Sequence, residues 1–203
     1  MVELNYKPDG NTLKKFLKSD NFFRGLRGPV GSGKSVACCI EVFRRALQQE
    51  PNAQGIRKSR WAVIRNTNPQ LKTTTIKTWL DWFPENEYGH FAWSVPYTHH
   101  INIGKVELEV IFLADRPEDV KKLLSLELTG VWVNEARELP KSIVDACTMR
   151  VGRFPSMRDG GATWYGVIAD TNAPEEDHWW PIMAGDVPVP DHLSREETLM
   201  LVK

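Results

Sequence analysis

The sequence predicts an α/β fold: a central, mostly parallel β-sheet flanked by helices, with an added β-hairpin. Three observations lead there. A glycine-rich loop, Gly28-Pro29-Val30-Gly31-Ser32-Gly33-Lys34-Ser35, lies between a strand-like and a helix-like run. Apolar strand segments then alternate with helical segments, the pattern of a parallel sheet covered on both faces. Two extended runs flank Gly104-Lys105 and read as hairpin arms.

Each element has a local reason. In residues 11–18, Leu13, Phe16 and Leu17 share one face of a short amphipathic helix. Residues 22–27 form a strand, followed by the loop and a helix reaching about Gln49. Pro51 to Gly55 is a loop, and Arg60 to Arg65 a core strand. Thr67-Asn68-Pro69 starts a helix, with Asn68 as N-cap and Pro69 in the first turn; it ends before Pro84. Residues 84–100 read as aromatic-rich and irregular. The hairpin arms are 101–103 and 106–113. In the second arm Val106, Leu108, Val110 and Phe112 alternate with Glu107, Glu109 and Ile111, so one face is expected to be wet. Pro117 to Leu124 is a helix and Gly130 to Val133 a buried strand. Pro140 to Arg150 is a helix with Ile143, Val144 and Cys147 inward, and Ala162 to Ala169 the last strand. The tail from Val187, Pro-rich and then charged, reads as a linker or a truncated next element.

At 203 residues the chain suits one α/β domain, and its 41% hydrophobic and 26% charged residues are ordinary for a globular protein. No apolar run approaches the ~20 residues of a membrane span, and Met1 to Lys7 lack the apolar core of a signal peptide. Cys38, Cys39 and Cys147 have no zinc spacing, so a reduced intracellular protein is the simplest reading. His90, His99, His100, His178 and His192 form no metal set, and the eight tryptophans read as core or interface anchors. Net charge is zero, yet residues 1–80 carry 15 basic and 5 acidic side chains, and residues 81–203 carry 11 and 21. The basic half, including Lys14, Lys15, Lys18, Arg44, Arg45, Arg57, Lys58 and Arg60, either faces a polyanion or pairs with the acidic half.

The chemistry begins at the loop, which fits G-x-x-x-x-G-K-[ST]. Glycines permit torsions and close approach that a Cβ blocks. The loop N–H groups and the helix dipole then attract phosphate oxygens. Lys34 reaches the β- and γ-phosphates of ATP, and the Ser35 hydroxyl ligates Mg²⁺. A second acidic strand end is required, as in ASCE/RecA-like P-loop NTPases, and Val131-Trp132-Val133-Asn134-Glu135 supplies it. Glu135 polarises the attacking water; Asn134 meets the metal through water, without charge, which lowers metal affinity unless Asp170 compensates. Asp170-Thr171-Asn172 follows another strand and senses the γ-phosphate. The bland alternatives are a helix-start carboxylate at Glu135 and an Asx-type turn before Pro174. Transition-state charge calls for an arginine. Arg137, Arg150, Arg153 and Arg65 are the candidates. Thr73-Thr74-Thr75 reads as a phosphate-backbone contact or a solvated helix face.

GPVGSGKS, VIRNTNPQLKTTTIKTWLDWFP, LTGVWVNEARELP, RVGRFPS and VIADTNAPEEDHWW, in that order over about residues 25–181, resemble the ATPase domain of a tailed-phage terminase large subunit. The resemblance implies an ATP- and Mg²⁺-dependent motor that packages double-stranded viral DNA into a procapsid in the host cytoplasm. It also implies the portal protein and small terminase subunit as partners, and a homo-oligomeric ring when assembled, with a monomer in isolation. Residues 1–203 then form one ATPase domain, about 187–203 leading toward a nuclease domain. Gly28 to Ser35 corresponds to Walker A, Asn134-Glu135 to Walker B with Glu135 catalytic, and Asp170-Thr171-Asn172 to the coupling motif. Tyr6 falls where the family contacts adenine. Two departures stand out: Asn134 replaces the Walker B aspartate, and Leu124-Ser125 stands where many members carry an arginine finger. The finger must then come from elsewhere: Arg153 and Arg137 are assigned to catalysis, with Lys121 or Lys122 as substitutes that lack the guanidinium fork. The rival readings are a P-loop small-molecule kinase and a nucleotide-binding module with little catalysis.

Overall fold

The structure, a computed structural model, describes residues 5–176 and 178–202. Residues 1–4 of the amino-terminal stretch lie outside them. In chain order the first elements are α1 (Gly10–Lys18), β1 (Phe23–Arg27), α2 (Lys34–Gln48), β2 (Arg57–Arg65) and α3 (Asn68–Gln70). A π-wound turn (Leu71–Ile76) follows, then α4 (Lys77–Trp82), α5 (Glu85–Tyr88), β3 (Gly89–Ala92), β4 (Tyr97–Ile103), β5 (Val106–Ala114) and α6 (Pro117–Ser125). The chain continues through β6 (Gly130–Asn134), α7 (Lys141–Thr148), β7 (Gly166–Thr171), α8 (Trp179–Ala184) and α9 (Arg195–Val202).

The strands form one seven-stranded sheet in the order β1-β7-β6-β2-β5-β4-β3. The first five are mutually parallel, β4 is antiparallel to β5, and β3 is antiparallel to β4. Strand β7 thus separates the loop strand β1 from β6. This is the mostly parallel sheet with an added hairpin that the sequence predicts. Successive strand residues point to opposite faces, and the core divides accordingly. Trp61, Val63, Val110, Phe112, Trp132 and Ile168 pack with α1, α2 and α4 on one face. Ala62, Ile64, Ile111, Leu113, Val131, Val133, Val167 and Ala169 pack with α6, α7 and α8 on the other.

Several expectations are corrected. Residues 84–100 are not irregular. They hold α5, β3 and the start of β4, because Tyr88, Phe91 and Tyr97 are buried against the core and order the backbone around them. The wet face of β5 is confined to Glu107 and Glu109, since Ile111 lies under the α6–α7 layer. The N-cap of α3 is Thr67, whose hydroxyl accepts the Gln70 N–H at 3.4 Å. The last strand includes Asp170 and Thr171, and the tail carries α9.

The charge asymmetry resolves in part within the fold. Lys58 pairs with Asp159, Arg27 with Asp186, Arg60 with Glu109 and Arg65 with Glu138. Arg44 and Arg45 turn back on Glu41. Arg57 donates to the Gln49 carbonyl. Lys14, Lys15 and Lys18 remain on the exposed side of α1. Among the described residues no helix is long and apolar enough to cross a membrane, and no three His, Cys, Asp or Glu side chains gather as a metal cluster. All three cysteines are free and buried.

Candidate nucleotide site

The loop geometry follows from its glycines. Gly31 and Gly33 adopt φ of 78° and 77°, the left-handed region a Cβ disfavours. The loop is tied to the sheet where the Gly28 N–H donates to the Thr171 carbonyl at 3.2 Å. Helix α2 then starts at Lys34, so its free N–H groups and dipole point into the loop. Pro29 and Val30 ride on the outer rim, Val30 85% exposed. Ser32 Oγ donates to the Pro29 carbonyl at 2.8 Å.

Around this loop the fold assembles most of the residues singled out in the sequence. Lys34 Nζ donates to the Pro29 carbonyl at 2.8 Å and to Asn172 Oδ1 at 3.2 Å. The other half of the Asn172 amide turns to Glu135: Nδ2 donates to Oε1 at 3.3 Å, and the backbone N–H to Oε2 at 3.2 Å. One amide therefore bridges the loop lysine and the acid of the neighbouring strand end. Its orientation is chemically fixed, because an ammonium only donates and a carboxylate only accepts. Glu135 reaches this position from a backbone at φ 51°, ψ 56°, unusual for a residue with a side chain. Such local strain persists where the surroundings enforce it and clusters at functional sites.

Strand parity sets the second constellation. Asn134 and Asp170 are direct partners in the β6–β7 ladder and share the face of Trp132 and Ile168, toward α2. Ser35 Oγ donates to Asp170 Oδ2 at 2.7 Å, Trp132 Nε1 to Asp170 Oδ1 at 2.6 Å, and Asn134 Nδ2 to both oxygens at 3.0 and 3.1 Å. Thr75 Oγ1 donates to Asn134 Oδ1 at 2.7 Å. Asp170 is fully buried. Burial holds its carboxyl above the ordinary range and the Glu135 charge pushes the same way, while hydrogen bonds from Asn134, Ser35 and Trp132 pull it down.

Trp132 is a contributor that the sequence pattern does not single out, and Thr75 contributes in a way it does not predict. Thr75 is buried rather than on a solvated face or against a phosphate backbone, whereas Thr73 and Thr74 bond carbonyls of their own helix. The π-wound turn at Leu71–Ile76 carries Thr75 to the inner face, and such turns recur at functional sites. A helical period of 3.6 gives no warning of it. For Trp132, the strand alternation shared with Asn134 is the available signal.

The arginines separate. Arg137 lies at the site, its N–H donating to Thr171 Oγ1 and its guanidinium to the Ala173 carbonyl, both at 3.2 Å. Arg153 does not: its N–H bonds Leu128, ahead of the amino-terminal end of β6, while Asn134 ends that strand. Five strand residues at ~3.3 Å each separate the two ends, so the Arg153 backbone sits at the end of the sheet away from the loop. Arg150 shares that end, its carbonyl accepting the Leu128 N–H. Arg65 is buried at the end of β2 and faces Glu138 at 3.4 Å. Tyr6 packs edge-on against Trp82, ring centroids 5.6 Å apart, beside the α1–α2 layer.

With this geometry in place, solved structures of similar fold can be compared. The large terminase of a thermophilic bacteriophage superimposes with a TM-score of 0.68 at 13% identity, over 89% of this chain and 43% of the other. The fold is shared with the ATPase domains of phage large terminases. The Thermus phage P74-26 large terminase ATPase domain gives a TM-score of 0.54 at 18% identity, over 96% of this chain and 75% of that domain. The thermophilic phage's terminase in complex with ATP-γ-S gives 0.60 at 14% identity, over 84% of this chain and 40% of that one. The chain thus spans less than half of the thermophilic phage's terminase. No family model matches it, and no curated protein matches it in sequence.

Proposed function

We propose that the chain is the ATPase motor of a phage DNA-packaging terminase. It would hydrolyse ATP to drive double-stranded viral DNA through a portal into a procapsid, in the host cytoplasm. The observation that carries this reading is the Asn172 amide held between Lys34 and Glu135. A phosphate-binding lysine and a half-buried carboxylate on a separate strand end, joined by one polar residue, suit hydrolysis and its coupling to movement. The terminase fold and the nucleotide-bound relative of the thermophilic phage support it.

In this mechanism Gly28 to Ser35 cradle the phosphates and Lys34 turns from the Pro29 carbonyl to the transferring phosphoryl group. Glu135 accepts a hydrogen bond from water and orients it. Arg137 offsets charge on the phosphoryl oxygens. Arg153 serves only from a neighbouring subunit of a homo-oligomeric ring. Asn172, released from Lys34 or Glu135, relays nucleotide state, flanked by Asp170 and Thr171. Tyr6 borders the adenine. The oxygen donor at Ser35 fits a hard cation such as Mg²⁺, which supplies charge neutralisation of the β- and γ-phosphates when bound. Portal protein and the small terminase subunit are the expected partners.

Glu135→Gln tests the reading. Steady-state phosphate release should fall about 10²- to 10⁴-fold with nucleotide affinity retained. An unchanged rate removes Glu135 from catalysis and favours a binding module. Turnover that requires an added small acceptor and ignores DNA and procapsid favours a kinase.

A further inference from the structure

Asn134 cannot provide a negative charge, and its geometry also turns its oxygen away. Two carboxylate oxygens of Asp170 sit at 3.0 and 3.1 Å from the same Asn134 side-chain atom, which must therefore be the NH₂ group. The amide oxygen faces Thr75 instead. Toward Ser35, Asn134 presents a donor, Nδ2 lying 3.3 Å from Ser35 Oγ. A cation repels such a donor.

Asp170 has what Asn134 lacks. It occupies the same register one strand nearer the loop strand, on the same face, with Oδ2 at 2.7 Å from Ser35 Oγ. Trp132 and Asn134 fix the carboxylate in place. Every group bonded to it is neutral, and among the described residues no Lys, Arg or His forms an ion pair with it. A buried carboxylate without a counter-charge is costly, and a divalent cation beside Ser35 would offset that cost.

We propose that Asp170 provides the metal-facing carboxylate of this site, the acid having moved from β6 to the adjacent β7. The inference rests on the ATPase reading above. It makes Asp170 a residue of the Mg²⁺·nucleotide site as well as a neighbour of the sensing residues Thr171 and Asn172. Asn134 becomes a positioning residue, donating to Asp170 while Thr75 holds its amide.

The test measures binding of ATP-γ-S by calorimetry, with Mg²⁺ and with EDTA. The unaltered chain should bind more tightly with Mg²⁺. Asp170→Asn should lose about 10- to 100-fold of that metal-dependent gain while its affinity in EDTA stays within about twofold. The exchange Asn134→Asp with Asp170→Asn should restore the gain. If Asp170→Asn keeps the full gain, the proposal is overturned although the nucleotide site stands. If the unaltered chain binds no nucleotide, or Lys34→Ala leaves binding intact, the ATPase reading falls and this proposal with it. A second measurement needs no variant. With aspartate ¹³C-labelled at its side-chain carboxyl and Mn²⁺·ATP-γ-S bound, electron–nuclear double resonance should show a ¹³C coupling to Mn²⁺. Its absence overturns the proposal even if Asp170→Asn fails to fold.

Discussion

Two carboxylates lie fully buried around helix α2, and they are held in opposite ways. Glu41 is surrounded by guanidinium groups: Arg24, Arg44 and Arg45 each approach it at 2.7 Å. Arg24 and Arg45 also stack on Trp164, at 4.7 and 4.4 Å from the ring centroid. Asp170 has only a hydroxyl, an amide and an indole. The first carboxylate has its charge matched within the chain, as in a structural clamp tying α2 to β1. The second is satisfied in hydrogen bonds but not in charge. That difference distinguishes a group serving the fold from one held ready for a charged ligand.

Three substitutions or conditions test the contrast, in descending order of effect. Glu41→Gln leaves Arg24 and Arg44 without their anion, Arg45 keeping Asp20 at 2.7 Å, and should cost about 3–5 kcal/mol in denaturant unfolding; a loss below about 1 kcal/mol would erase the distinction. His99 applies the same logic to a base. It is buried, accepts from Trp79 Nε1 at 2.8 Å and faces the Gly89 carbonyl at 3.0 Å, and burial lowers its pKa to about 4. The unfolded chain takes up this proton near pH 6.5, so stability holds above that pH and drains as pH falls toward 4. The loss should reach about 3 kcal/mol, and His99→Gln should flatten that part of the profile. The smallest effect has the opposite sign. Asp170→Asn, without metal or nucleotide at neutral pH, should raise stability by about 0.5–2 kcal/mol, as when a functional residue is held at the expense of the fold. A clear loss of stability there would place Asp170 in the same structural class as Glu41.

The features legible in the sequence share one property: their determinants are contiguous. The glycine-rich loop is eight successive residues, and α1 shows its apolar face in three. The hairpin turn at Gly104-Lys105 needs only its flanks. Residues 84–100 are opaque because His99 is polar by type yet buried through its bond to Trp79, twenty residues away. Asp170 is legible as a polar residue after an apolar run and as a compensating charge for Asn134, but its contact with Ser35 is not. Parity puts Asn134 and Asp170 on the α2 face only once β6 and β7 are known to pair.

The sequence by itself therefore determined where the glycine-rich loop falls between strand and helix, the alternation that makes a doubly covered parallel sheet, and the carboxylate at the end of the Gly130–Asn134 strand. Each depends on local torsion and on periods of 2 or 3.6 residues. Only the tertiary structure decided that Arg137 lies at the site and Arg153 at the far end of the sheet. It alone turned Asn134 toward Thr75 and set Asp170 against Ser35, 135 positions away in the chain. The physical reason is that charge compensation acts through space: which carboxylate keeps its counter-ion, and which lacks one, is fixed by strand order and register rather than by neighbours in sequence.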